Sequence, residues 1–403
     1  MIVVVGISMC IVEDAYTDEF KLTPSLAVKE EYNDNIRYTS TNTDKDFIST
    51  ISPGLVLTNR TERTAFSLLG RLDHRLYSSN RDLEDTDQYY EVSGEHALTE
   101  RFNLSGKALY TKDSRPDRDF ETTGLALVNV KRERQSYTAS GYYLLSERFM
   151  TTFGYNYLKD TYDSPTYTGL EANSYNLGFV RDLTGFLEST KARMNIGYAK
   201  YNYNVSGLKI DNYEATIGVE HPLNEKWSLL FDGGGRYTQS RYKLTEYVLV
   251  PIIPPYFYEI DVVERMKKNN DWGVIGTLTL SFKGPRDNGT ISAVYDLLPA
   301  AGRSGTAQRS SFVFNLSRRF TYELYGTLSG GYYLNRSHQG EFSTQEIDES
   351  TMRISPGIRY QFDKDKMIEA VYTYNRSKYN VDNTKAERNV FMVRFKIQHD
   401  LFE

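Results

Sequence analysis

Charged side chains recur at every second position in several stretches of this 403-residue chain. Arg71, Asp73 and Arg75 alternate with Leu72, His74 and Leu76, and Arg394 and Lys396 alternate with Phe395 and Ile397. Arg353 and Arg359 share one parity with Ser355 and Gly357. In an extended strand this spacing puts all the charges on one face. Glu95, Lys107, Arg193, Glu214, Asp232 and Arg236 fall in the same way on the polar faces of other alternating stretches. Mixed charge so arranged suits two roles: lining a wet pathway for a polar solute, or forming ladders of ion pairs that satisfy one another. Catalysis has less behind it. His74, His96, His221, His338 and His399 stand in no nucleophile or metal motif, so no enzyme is expected and no catalytic, cofactor or metal residue is assigned. Gly233-Gly-Gly235 precedes no helix and is not a phosphate loop; within a strand it permits bending or close packing. The acidic run Asp82, Glu84, Asp85 and Asp87 lacks the ligand spacing and the glycine of a calcium loop, and reads as solvated.

The elements that position these faces are strands. In Met352–Phe362 the apolar residues Met352, Ile354, Ile358, Tyr360 and Phe362 alternate with Arg353, Ser355, Gly357, Arg359 and Gln361. Phe391 to Leu401 repeats the pattern, and Lys366–Tyr379 lies between, entered by the tight turn Asp363–Lys366 and left by a looser loop. Short turns at one end and longer loops at the other are the signature of a transmembrane β-barrel meander. Taken along the chain, the pattern predicts an all-β, up-and-down antiparallel barrel of about 18 strands, with 16 as the lower count. Both termini are then expected on the short-turn, periplasmic side.

Composition agrees with strands: 33 Tyr and 20 Phe stand against 11 Pro and a single Cys. A mean hydropathy of −0.54 would ordinarily mean a soluble protein, but only the lipid-facing half of each barrel strand must be apolar. A soluble β-sandwich or array is disfavoured by the lack of an internal repeat and by the strand lengths. The tyrosines invite a sugar-stacking reading, although most fall on the apolar face or near strand ends, where interfacial aromatics belong. No stretch approaches the ~20 apolar residues of a spanning helix. Residues 1–15, with apolar Ile2–Val12, are expected to be a truncated secretory signal, leaving 16–403 as one barrel domain. Cys10 departs with such a signal. The net charge of −5 and the absence of basic tracts give no indication of nucleic-acid binding.

The largest connection expected is Tyr242 to Lys268, whose prolines argue against an ordinary ladder strand. It contains Val248, Pro251, Ile252, Pro254, Pro255, Tyr256, Phe257 and Tyr258, an apolar cluster that calls for something to cover it. Three readings stand: an inward plug or constriction, a partner contact, or a cap on the rim.

Leu22-Thr-Pro-Ser-Leu26, Glu31-Tyr-Asn-Asp-Asn35, Asp46 and Ile51-Ser-Pro-Gly-Leu55 resemble the opening of the β-barrel porin-2 family, and Ile354-Ser-Pro-Gly-Ile358 echoes the second block. That family includes outer-membrane proteins encoded with exosortase and exopolysaccharide loci. The resemblance implies a porin-like outer-membrane channel for exopolysaccharide secretion, and supplies no catalytic or binding residues. Its partners would be outer-membrane lipid and lipopolysaccharide, the barrel-assembly machinery, a separate periplasmic polysaccharide-export protein and the polysaccharide or other polar solute. The alternative expectation is a structural or adhesive barrel with a closed lumen and partner-binding loops. At each Pro-Gly the missing amide donor implies a bulge or kink.

Overall fold

The computed structural model describes residues 19–115, 130–204, 207–253, 257–300, 302–338, 342–343 and 346–402, and for 244–264 the backbone alone. The expected leader and Cys10 lie outside the described residues. Alternating sequence becomes alternating faces in β1 (Glu19–Asn33), β2 (Asp46–Arg60), β3 (Thr64–Tyr77), β4 (Asp85–Thr99), β5 (Phe102–Asp113) and β6 (Arg132–Ser146). The series continues through β7 (Phe149–Tyr162), β8 (Leu170–Asp182), β9 (Lys191–Tyr203), β10 (Lys209–Pro222), β11 (Trp227–Ile253) and β12 (Phe257–Lys283). It ends with β13 (Asp287–Pro299), β14 (Thr306–Arg319), β15 (Leu324–Ser337), β16 (Ile347–Gln361), β17 (Lys366–Tyr379) and β18 (Thr384–Gln398). Each strand pairs antiparallel with the next, and β1 pairs with β18. The result is a closed 18-stranded barrel, which removes the sheet edges that an open sheet would expose.

One face of the wall is apolar and uncovered. Leu26, Val28, Ile51, Leu55, Leu72, Ile196, Ile358 and Phe395 are all exposed, and Ile217 is 70% exposed. Two aromatic girdles bound this band. Tyr155, Tyr175, Tyr198, Tyr213, Tyr237 and Trp272 touch ring to ring around β7 to β12, with centroids 4.7 to 6.4 Å apart. Trp227 with Phe282, and Phe149 with Phe179, belong to the other girdle. Trp227 and Tyr237 are ten residues apart on β11, or ~33 Å along the strand at ~3.3 Å per residue. At the ~40° tilt usual for barrels this is ~25 Å along the axis, the height of the apolar band of a transmembrane barrel. The exposed face is therefore the lipid face, and the opposite parity looks into the lumen.

One expectation needs correction and another is narrowed. Tyr242 to Lys268 is not a loop: β11 and β12 pair continuously from Trp227↔Phe282 to Pro251↔Tyr258 and Ile253↔Phe257, with one irregularity between Pro251 and Ile253. Pairing of β10 with β11 ends at Lys209↔Arg241 and pairing of β12 with β13 ends at Gly276↔Tyr295. The hairpin thus outruns the barrel wall. Beyond the wall each strand has a free edge, where a proline's missing donor goes unmissed. At Pro53 and Pro356 regular pairing is broken on one side, as expected. Pairing of β2 with β3 is interrupted between Ile51↔His74 and Gly54↔Arg71, and pairing of β16 with β17 between Ile354↔Tyr374 and Gly357↔Val371, in both cases without change of register. The absent amide opens the ladder but inserts no extra residue, so neither site is a bulge. Gly234, in the glycine triplet, marks a close approach: a Cβ there would lie 1.9 Å from the Ala215 carbonyl oxygen.

Candidate functional site

All thirteen charged positions expected on the lumen face share the parity opposite the exposed apolar residues, because cross-strand partners project to the same side. Leu68↔Val92 is a lipid-face pair while Arg71↔Tyr89 and Ser67↔Ser93 face inward. Six of the cations reach a carboxylate: Arg71–Asp73 (3.1 Å), Arg75–Asp87 (2.8 Å), Lys107–Glu91 (2.9 Å), Arg193–Asp232 (3.5 Å), Arg236–Asp271 (3.1 Å) and Arg394–Glu369 (2.6 Å). Arg353 Nε donates to Ser355 Oγ at 3.2 Å, and Arg359 stacks on Tyr325 at 4.9 Å. Glu95 accepts a hydrogen bond from Asn103, and Glu214 lies in register with Arg236. Lys396 shares a recess of the wall with Arg71 and Arg394. Between the charges the inner wall carries hydroxyls and amides that bond across strands, as in Thr279–Ser292 (2.8 Å), Ser105–Ser140 (2.7 Å) and Thr138–Asn156 (3.0 Å).

At the long-loop end this polar wall gives way to apolar residues on the same inward parity. Leu170, Ala172, Tyr201, Tyr203, Leu208, Ile210 and Tyr242, from the ends of β8 to β11, form one buried cluster. Inward residues of an open mouth would be wet, so something covers them. The cover comes from the opposite side of the ring. Ala300, Ala307 and Ile347 form a second buried cluster against which Tyr162 and Tyr167 pack, joining β7 to β14 and β16, which face one another across an 18-strand ring. Thr168 N donates to Gly302 O at 2.9 Å, and the Tyr203 hydroxyl donates to Gly305 O.

The β13–β14 and β15–β16 loops build this cover together. Gly305 pairs with Ser343, Thr306 N donates to Phe342 O at 2.9 Å, and Ser343 Oγ donates to Ser304 O at 2.9 Å. Arg303 makes a two-pronged contact with Glu349, both distances 3.2 Å. Gly305 has φ +135°, and a Cβ there would stand 2.3 Å from Phe342 O; only glycine fits. On the neighbouring arc Tyr38, in the β1–β2 loop, is buried, donates to Ser377 Oγ at 3.0 Å and lies under Arg388 at 5.2 Å. Burial pushes its phenol well above the usual tyrosine range, so it stays neutral.

Arg236 joins the cover to the wall. Above Gly276↔Tyr295, β12 and β13 no longer pair, and the Arg236 guanidinium spans that break. It donates to Gln308 Oε1 on β14 (2.8 Å) and Thr238 Oγ1 (2.9 Å), pairs with Asp271 on β12 and lies 5.0 Å from the Phe342 ring centroid. Its bed is Gly273, whose absent side chain leaves the space the guanidinium fills.

The stretch read as a plug, a partner contact or a rim cap lies on the β11–β12 hairpin. Val248, Pro251, Ile252, Phe257 and Tyr258 belong by backbone to the projecting hairpin, while Pro254, Pro255 and Tyr256 lie outside the described residues. The cover described above is built from Tyr203, Gly305, Phe342 and Ile347. Apolar residues on a strand face otherwise polar, at Leu170, Ala172, Tyr201 and Ile210, were the available signal. Of the acidic run read as solvated, Asp82 pairs with Arg37 (2.9 Å), while Asp85 and Asp87 stand on β4 and pair with Lys131 (3.1 Å) and Arg75 (2.8 Å), Asp87 being largely buried. Among the described residues no cluster of His, Cys, Asp and Glu has the makings of a metal site.

A polar lumen inside an apolar, girdled, closed barrel is the arrangement of outer-membrane pores. Residues 15–176 match the sequence profile of the family described as "Putative beta-barrel porin 2". The chain is a porin-like outer-membrane barrel. No curated protein sequence matches it. Among solved structures, the barrel resembles the ferric-catecholate import receptor Fiu from K12 E. coli in its closed form, with TM-score 0.50, 8% identity, 94% of this chain and 82% of that one covered. Lower scores are given by OccK2 (OpdF) of Pseudomonas aeruginosa (TM-score 0.47, 10% identity, 94% and 98% covered) and a BenF-like porin of Pseudomonas fluorescens Pf-5 (0.46, 10%, 94% and 99%). At such identities the likeness is one of fold, and the porin-like barrel's own residues must carry the rest.

Proposed function

We propose that this barrel is a channel for exopolysaccharide, closed at its long-loop end until a partner or the polymer itself displaces the cover. The short-turn end, with both termini, faces the periplasm in this reading, and a periplasmic polysaccharide-export protein feeds it. The observation that carries the proposal is the inner wall: hydroxyls and amides of Thr138, Asn156, Thr279 and Ser292, interleaved with charges, match the donor and acceptor pattern of sugar hydroxyls. The opening segments that resemble exopolysaccharide-associated barrels add to it. The driving force comes from elsewhere, because the sequence carries no nucleotide motif, and the channel acts without catalysis. Current through single barrels in a planar bilayer tests this. Oligosaccharides added at the short-turn side should block the current transiently, for longer as the chain grows; open barrels that no oligosaccharide blocks reject it. The projecting β11–β12 hairpin favours a second reading, an adhesive barrel whose lumen never opens.

A further inference from the structure

The register stacks three unlike rungs on the outward parity of β7 to β12. The first is the aromatic girdle, in which Tyr155, Tyr175, Tyr198, Tyr213, Tyr237 and Trp272 stand directly opposite one another. Two residues toward the long loops comes a polar rung of Tyr157, Asn173, Lys200, Asp211, Gln239 and Asn270. Girdle phenols reach into it: Tyr155 donates to Asn173 Oδ1 and Tyr198 to Asp211 Oδ1, both at 2.8 Å. Two residues further, the third rung runs Lys159, Glu171, Asn202, Lys209, Arg241, Lys268.

These two outer rungs hold five cations and two acids, an excess of three positive charges. Lys159 stands opposite Glu171, and Arg241 pairs with Asp211 at 2.6 Å. Lys200, Lys209 and Lys268 form no ion pair among the described residues, and Lys209 and Lys268 are exposed on either side of Arg241. Like charges set directly opposite destabilise a sheet, so folding gives no reason for this row of three. Elsewhere on the same rim Lys112 faces Glu133, Arg336 pairs with Asp348 at 3.5 Å, and Arg376 and Lys385 share Glu387. Lys378, opposite Lys385, has no acid of its own there.

We propose that the β9 to β12 arc binds the diphosphorylated sugar head group of an outer-leaflet glycolipid, the lipid A end of lipopolysaccharide. The rungs continue the lipid-facing wall, so a lipid already seated against Ile217 and the girdle places its head group on them. Lysines serve as point-charge partners of phosphate. The row from Lys209 to Lys268 crosses two strand spacings, ~10 Å, wider than a single phosphate needs. Each cation of the third rung also lies four residues beyond the ring of its own strand, ~13 Å along the strand and ~10 Å along the axis. That exceeds the ~5–7 Å depth of a phospholipid head-group zone and suits a head group built on sugars, whose hydroxyls and amides meet Asn173, Gln239 and Asn270. From the channel reading the proposal takes only the placing of the long loops outside the cell.

Titration of the detergent-folded full chain with diphosphoryl lipid A, phosphatidylglycerol and inorganic phosphate, followed by native mass spectrometry, tests this. Lipid A should bind at least tenfold more tightly than phosphatidylglycerol, and lose at least tenfold in affinity in the double variant Lys209→Gln, Lys268→Gln. Lys209→Arg with Lys268→Arg should keep the affinity, and so should Arg336→Gln on the far arc. Heat-dependent gel migration establishes that each variant is folded. Absence of lipid A binding, equal binding of phosphatidylglycerol, or an unchanged double variant would overturn the site. Inorganic phosphate that displaces lipid A at equal concentration would also overturn it, leaving a small-anion site. Conductance plays no part in these readings, so their failure would leave the channel standing, and failure of the channel would leave them unaffected.

Discussion

Arg236 Nη2 donates to Gln308 Oε1 at 2.8 Å across the place where β12 and β13 part. A single side chain thus bridges β11 to β14, and its guanidinium also lies against Phe342 in the β15–β16 loop. Wall and cover are coupled through it.

Arg236→Ala should therefore act on both stability and closure. It leaves the partly exposed Asp271 without its cation and removes the charged hydrogen bonds to Gln308 and Thr238, a loss of about 1.5–3 kcal/mol. The urea midpoint of the folded band on an unheated gel should fall, and current steps in a bilayer should become more frequent. Arg236→Lys, which restores charge but not the fork, should recover only part of either.

Gly305 tests the cover without touching any charge. Gly305→Ala places a methyl against Phe342 O and Ser343 Cα, 2.3 and 2.4 Å away, in a backbone conformation that L residues avoid. Because the β13–β14 loop lies outside the wall ladder, the barrel should still resist detergent unheated. Its cover should loosen, seen as faster proteolysis near residues 302–305 and a larger mean current.

Much of this was legible in sequence. Alternation fixed the faces from Leu22 to Phe402 because the bilayer demands an apolar residue at every second position, and the charge parity at Arg71, Asp73 and Arg75 followed. The cover was not legible. Tyr162 packs against the cluster of Ala300, Ala307 and Ile347, and no local pattern announces a contact between residues so distant in the chain. The proline-rich stretch misled for a different reason: the rule against proline in a ladder applies to a strand paired on both sides, and beyond Arg241 β11 is paired on one.

Shortening the hairpin separates the two accounts of that stretch. Replacing residues 244–266 with a two-residue Asn-Gly turn removes chain that pairs only with itself. Heat-dependent migration and basal conductance should both be unchanged. A jump in conductance would restore the hairpin as a plug.

The lipid face can be challenged by charge. Ile217, on the apolar face between the girdle residue Tyr213 and the end of β10, is widely exposed. Ile217→Arg should cost about 2–4 kcal/mol, as for a charge at the bilayer midplane, while Ser292→Lys on the lumen face should cost little. Refolding midpoints in lipid vesicles measure the difference.

Closure by loops reaching across the lumen is the centre of this account, and planar-bilayer conductance tests it most directly. The intact chain is to be compared with a variant in which residues 338–346 are replaced by a short turn, removing Phe342 and Ser343 from the cover. Rare, small steps from the intact barrel and large, steady steps from the shortened one are predicted. Equal conductance from the two folded proteins, whether large or absent, would contradict it.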